Sequence, residues 1–172
     1  MERVPAHIFR EYDIRGIADQ ELSSETVHLI GRAYGSYLTD LGIFEVTVGG
    51  DARHSTPRIK EAAIAGLREV GVSVIDIGLV SSPCFYWSLY HFGVEGGIMV
   101  TGSHNPKEFN GLKLALGKMT LWGDEIQEVY RIIAENRFAK TEHKGNLRFE
   151  EINAPYIDML VSKITLGPKK LK

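Results

Sequence analysis

The chain has 172 residues, enough for one ordinary domain and a short extra segment, and its 44% apolar share can bury a sizeable core. A formal net charge of -2 excludes the broad basic face that non-specific nucleic-acid binding needs, but leaves room for small anionic ligands held by a few local donors. No run approaches the roughly 18 apolar residues of a membrane span, and Met1 to His7 lacks the apolar core of a signal peptide, so neither membrane nor export is expected.

After an irregular opening, Val27, Ile30, Tyr34, Leu38 and Leu41 recur at helical spacing, with Glu25 near the start and Gly42 just past the end. This predicts an amphipathic helix. The short run Val46-Thr47-Val48 predicts a strand that stops at Gly49-Gly50, and Thr56-Pro57 supplies a cap followed by proline at the first helical position. A second helix turns Ile59, Ala63, Leu67 and Val70 inward and ends at Gly71. Val72 to Leu79 then predicts a strand, Ser82-Pro83 opens a third helix carrying Phe85, Leu89 and Phe92, and Gly97 to Val100 is a buried strand by composition. The lone Cys84 cannot close an internal disulfide and reads as a buried structural thiol, which fits a reducing, cytoplasmic setting.

Leu112 to Leu116 predicts a further strand with Lys113 on the face opposite Leu112 and Leu114, and Gly123-Asp124 introduces a helix through Ile126, Val129, Tyr130 and Ile133. From about Ala139 to Glu151 the composition is charged and irregular. Asn153-Ala154-Pro155 starts one more helical stretch through Tyr156, Leu160 and Ile164, running into Gly167-Pro168 with no evident place in a sheet. The alternation predicts an α/β domain: a mixed, largely parallel sheet flanked by helices. Residues 1–151 are expected to form it, with 152–172 a linking helix.

The chemistry concentrates in Thr101-Gly102-Ser103-His104-Asn105-Pro106, directly after a buried strand, because ligands of α/β sheets collect beyond the carboxyl ends of the strands. His104 and Asn105 add donors beside the Ser103 hydroxyl, as a phosphate ester there would require. On spacing alone, a polar turn that satisfies its own backbone explains the segment about as well. Ser103-His104 is not a hydrolase dyad, since neighbouring residues rarely aim at each other and no Gly-x-Ser-x-Gly elbow is present. The remaining histidines show no metal-ligand spacing.

Thr101 to Pro106, followed by Phe109-Asn110-Gly111-Leu112-Lys113, closely resembles the active-serine signature of the α-D-phosphohexomutases. Phe9-Arg10-Glu11-Tyr12-Asp13-Ile14-Arg15-Gly16 resembles the opening of the phosphomannomutase/phosphoglucomutase branch. A third segment, Gly49 to Thr56, corresponds to a loop that usually reads Gly-Arg-Asp-x-Arg, here with Gly50 in place of the first arginine. The resemblance implies the first, serine-bearing domain of a four-domain enzyme. Ser103 would carry a phosphoryl group exchanged with a hexose phosphate through a bisphosphorylated sugar, and a phosphate oxygen on Ser103 would help bind Mg²⁺. A hexose 1,6-bisphosphate would act as activator.

By the same resemblance Lys113 is a candidate acid/base or electrostatic clamp, against the plainer reading of a solvated surface lysine. Arg15 would stabilise charge at the transferring group, or pair with Asp13 to hold a loop ahead of the first helix, or both. His104 is a catalytic candidate beside the nucleophile. Tyr12, Asn105, Asn110 and Arg53 are candidates for shaping the substrate site, each with a structural alternative. The family's metal loop, sugar-recognition loop and distal phosphate site belong to later domains and do not occur here, so the chain is expected to be part of a longer enzyme. Two other readings stay open: a phosphoglucosamine mutase domain, which the Phe9 to Gly16 opening disfavours, and a non-catalytic sugar-phosphate-binding module.

Overall fold

The computed structural model describes residues 4–165. Seven strands form one sheet: β1 (Ile14–Ile17), β2 (Glu45–Gly50), β3 (Ser73–Leu79), β4 (Gly96–Val100), β5 (Phe109–Leu116), β6 (Met119–Thr120) and β7 (Leu147–Phe149). They are ordered β1-β5-β4-β2-β3-β7, with β6 beside β5. Neighbours β4, β2, β3 and β7 pair in parallel, whereas β5 pairs antiparallel with β4, β1 and β6. Only β5 therefore runs against the rest, giving the mixed, largely parallel sheet the alternation predicts.

Helices α1 (Ser24–Asp40), α2 (Thr56–Glu69) and α4 (Asp124–Ala134) cover one face of the sheet, and α3 (Ser82–His91) covers the other. The α1 helix starts where Ser23 Oγ accepts the Thr26 N–H at 3.1 Å, and it stops at Gly42, whose φ of 77° suits a residue without Cβ. Leu41 falls outside its apolar stripe and is exposed. Two helix starts differ from the sequence expectation. Thr56 lies inside the first turn of α2 and spends its hydroxyl on Asp51 Oδ1 at 2.6 Å, while α3 is capped by Ser81 rather than Ser82.

Strand alternation divides the core. Ile98, Val100, Leu112 and Leu114 pack under α1, α2 and α4, whereas Met99 and Ala115 join Phe85 and Leu89 of α3. Cys84 is buried in that second cluster, and burial, with a smaller push from Glu151, raises its thiol pKa. Tyr34 crosses from α1 to the sheet, accepting the Gly97 N–H at 2.8 Å and donating to the carbonyls of Gly97 and Ala115, and burial pushes its phenol pKa up.

The irregular opening contains β1, and the charged stretch before residue 151 contains β7. Both are short edge strands. Helix α5 (Asn153–Lys163) is tied down at its start by buried Ile152 and by Tyr156, whose ring lies 5.5 Å from that of Trp87. Ile157, Leu160, Val161 and Ile164 beyond are exposed. The expected stop at Gly167-Pro168 lies outside the described residues. No helix among the described residues is long and apolar enough to cross a membrane.

Candidate active site

Strand β4 ends at Val100, and the chain then turns through Thr101 and Gly102 so that Ser103 emerges exposed with φ of 54°, a left-handed conformation unusual for a residue with a side chain. Its N–H is satisfied locally by Thr101 Oγ1 at 2.9 Å. The Gly102 carbonyl collects three donors: the Asn105 N–H at 3.0 Å, Asn105 Nδ2 at 3.1 Å and Arg15 Nη1 at 2.8 Å. The Gly102 N–H donates to Asp51 Oδ2 at 3.2 Å. Burial alone would raise the Asp51 carboxyl pKa, but bonds from the Thr56 hydroxyl, the Arg53 N–H, the Thr101 hydroxyl and the Gly102 N–H outweigh it and hold the group below the usual carboxylate range.

Beside Ser103 opens a cleft of about 440 Å³, walled by Arg10, Glu11, Tyr12, Asp13 and Arg15 on one side and by Ser103, Asn105 and Lys113 on the other. Pairing of β1 with β5 produces this arrangement. Arg15 stands opposite Gly111, and Gly111 and Lys113, two residues apart, project from the same face of β5. Any Cβ at Gly111 would lie 2.4 Å from the Ile14 carbonyl oxygen, so the close approach of β1 requires glycine there.

Asp13 bridges Arg15 and Lys113. It pairs directly with Arg15 Nη2, and its Oδ2 lies 3.5 Å from Lys113 Nζ. Arg15 is buried, and its Nε has no hydrogen-bond partner among the described residues. Three cations against two carboxylates leave the cleft with a positive excess beside an exposed hydroxyl. A phosphate ester is suited to such a place, since charge-assisted bonds to its oxygens strengthen where water is partly excluded.

Arg15 thus sits on β1 rather than in a loop, and its pairing with Asp13 coexists with an orientation toward the Ser103 loop. Tyr12 is 65% exposed at the rim. His104 is also exposed but lies outside the cleft's eight walls. Asn105 lines the cleft while bracing Gly102. Asn110 is fully buried and does not line the cleft, donating to Ser55 Oγ at 2.9 Å and Thr56 Oγ1 at 3.0 Å, so it joins β5 to the start of α2. Arg53 faces the underside of the Ser103 loop. Asp51 and Thr101 lie within the motif segments, but their bracing of the Ser103 loop carries no sequence signal, because a carboxylate and a hydroxyl at strand ends reveal a partner only once the loops they join are adjacent.

Among the described residues no group of three or more His, Cys, Asp or Glu side chains could hold a metal ion. Of the two carboxylates in the cleft, Glu11 and Asp13, the latter is already spent on Arg15 and Lys113. A cation at Ser103 would find one ligand here, a phosphate oxygen on that serine, and the residues present do not make a complete site.

The model of phosphoglucomutase/phosphomannomutase, alpha/beta/alpha domain I, matches residues 6–140. The chain belongs to this family. It is 39% identical to the phosphomannomutase of Vibrio cholerae over 95% of its own length and 36% of that protein's, and 35% identical to the phosphoglucomutase of Neisseria gonorrhoeae over 96% and 36%. A solved phosphoglucomutase/phosphomannomutase family protein from Burkholderia thailandensis superposes with a TM-score of 0.89 at 36% identity, covering 95% of this chain and 37% of that one. The chain therefore spans little more than a third of the curated relatives it matches, and it corresponds to the first domain of the family fold. The matched region holds all three motif segments and every wall of the cleft.

Proposed function

We propose that this chain is the phosphoserine domain of a phosphomannomutase/phosphoglucomutase, interconverting hexose 1-phosphate and hexose 6-phosphate. The observation that carries the reading is the exposed Ser103 hydroxyl at the carboxyl end of β4, in a cleft it shares with Arg15 and Lys113. A sugar hydroxyl attacks the phosphorus of phosphorylated Ser103; the new sugar O–P bond forms as the P–Oγ bond breaks. The proton lost by that hydroxyl passes, with Lys113 as the candidate acid/base, to Ser103 Oγ as its bond to phosphorus breaks, so the transfer balances. The bisphosphorylated sugar then turns over and returns its other phosphoryl group to Ser103 by the same step reversed, so phosphate is conserved.

Arg15 supplies fixed positive charge during both transfers, held in place by Asp13 and by the Gly102 carbonyl. Tyr12, exposed at the rim, and His104, exposed beside Ser103 on the loop, are the candidates to meet the sugar. Mg²⁺, held partly by the phosphoserine, would neutralise charge on the transferring group, with its other ligands from outside this chain. Residues from 152 onward would lead into the next domain, and the lone buried thiol of Cys84 suits a cytoplasmic enzyme.

Peptide mass mapping after incubating the enzyme with a hexose 1,6-bisphosphate tests the assignment. Phosphate on Ser103 alone is expected. A stable phosphate on Ser55, Ser82 or elsewhere, with Ser103 unmodified, would overturn it.

A further inference from the structure

Arginine has five N–H donors in a rigid planar fork, and at Arg53 all five are spent inside the protein. Nε donates to Asp51 Oδ2 at 3.2 Å. Nη1 donates to the carbonyls of Pro106 at 2.7 Å and Phe109 at 3.1 Å. Nη2 donates to the carbonyls of Ser103 at 3.1 Å and Asn105 at 2.7 Å. One side chain from the loop after β2 thus gathers three carbonyls of the loop after β4, including that of Ser103 itself, and a fourth at the first residue of β5.

The fit depends on glycine. A Cβ at Gly102 would fall 2.3 Å from Arg53 Cζ, so the guanidinium lies directly against the Gly102 backbone. Asp51 fixes the guanidinium in turn, accepting its Nε and the Arg53 N–H at 3.1 Å while also taking the Gly102 N–H. With these carbonyls drawn inward, the Ser103 side chain is left on the outer side, in the cleft. The arrangement also accounts for the left-handed backbone at Ser103. Such a conformation costs of order 1–3 kcal/mol and persists only where its surroundings over-determine it.

We propose that Arg53 is a positioning residue that sets the reactive serine from beneath and makes no contact with the sugar phosphate. The proposal rests on the reading of Ser103 as phosphoryl carrier, and it replaces the expectation that Arg53 binds substrate. Lysine, with three donors on one point, cannot span four carbonyls, so Arg53→Lys should behave as a loss of function rather than a conservative change.

The test combines peptide-level hydrogen exchange with steady-state kinetics on the intact enzyme and its Arg53→Lys and Arg53→Gln variants. The Ser103 and Asn105 amides should exchange about tenfold faster or more, while amides of β2 and β4 keep their protection and so report an intact core. The kcat should fall about 100-fold with KM within about threefold of wild type, as expected of a displaced nucleophile in an unchanged binding cleft. Should both variants lose core protection, Asp51→Asn, which leaves Arg53 in place but weakens its anchor, should show the same two effects in milder form. Unchanged loop exchange, or a raised KM with kcat retained, would overturn the proposal. Faster loop exchange in an enzyme whose wild type never phosphorylates Ser103 would refute the carrier reading and leave the clamp supported.

Discussion

At the seam between α1 and α2, a Cβ on Gly31 would lie 2.4 Å from the Ala63 carbonyl oxygen, and one on Gly66 would lie 2.2 Å from that of His28. At the Ser103 loop, Gly102 stands in the same relation to the Arg53 guanidinium. Both are close backbone approaches that admit no side chain, but they are held by different forces. The seam sets Gly31 and Gly35 of α1 against Ala63, Leu67 and Val70 of α2, and both helices bury their apolar residues in one core cluster, so it contributes apolar area and dispersion to the fold. The loop contributes little of either. Its contacts are hydrogen bonds at the edge of water, each worth a net of about 0.5–1.5 kcal/mol, and their effect is to fix where a hydroxyl points. Damage to the seam should therefore appear as instability, and damage on the loop side as lost turnover.

The strongest way to break this contrast is Lys113→Met. The side chain stands on the cleft face of β5 and is three-quarters buried beside Asp13, so methionine can retain its packing. Turnover of the enzyme carrying this domain should drop about 10²–10⁴-fold, the usual contribution of a positioned acid or base, while the melting temperature moves by only a few degrees. A variant that unfolds early yet keeps normal turnover would make Lys113 structural.

Gly66→Ala is the reciprocal change. The added methyl meets backbone on the neighbouring helix, which cannot move aside cheaply, and a loss of about 2–3 kcal/mol is expected in urea unfolding of the 172-residue chain. Turnover per folded molecule should be unaffected. Loss of turnover without loss of stability would mean that the seam reaches the site by a route the contacts do not reveal.

Legibility in the sequence follows the same division. The seam and the central strands declare themselves through periodicity, because burial of one face imposes spacing on every residue that shares it, and α1, α2, β3 and β4 lie where those spacings predict. Strands β1 and β7 do not, since three or four residues at a sheet edge owe their conformation to a partner far along the chain. Ser103 stands out by its place after a buried strand, with a polar turn an equal reading until the motif resemblance is added, whereas the roles of Lys113 and Arg15 rest on that resemblance; the cleft brings the three together. The duties of Arg53 and Asn110 were hidden. Arginine and asparagine look alike whether they serve ligand or backbone, and only the tertiary arrangement, with five donors matched to internal acceptors and an amide sealed beneath α2, separates the two cases.

The smallest effect is also the one that joins the two halves of the comparison. Ser103→Ala and Ser103→Gly both remove the hydroxyl, so neither should turn over, and any difference between them reports the backbone alone. At φ of 54° a Cβ is strained and glycine is not, so Ser103→Gly should be more stable than Ser103→Ala by about 1 kcal/mol in urea unfolding. Glycine also has more freedom to lose on folding, which works against it, but that term is the smaller one at a left-handed position. The gap exists only while the loop is held in this conformation. If Arg53 does the holding, repeating the pair on an Arg53→Lys background should shrink the gap toward zero, a coupling that a double-mutant cycle reads directly. An undiminished gap would mean that Thr101, Asp51 and Arg15 fix the Ser103 backbone without help from Arg53. Alanine as stable as glycine in the wild-type background would mean that the loop relaxes out of the left-handed conformation once the serine is gone.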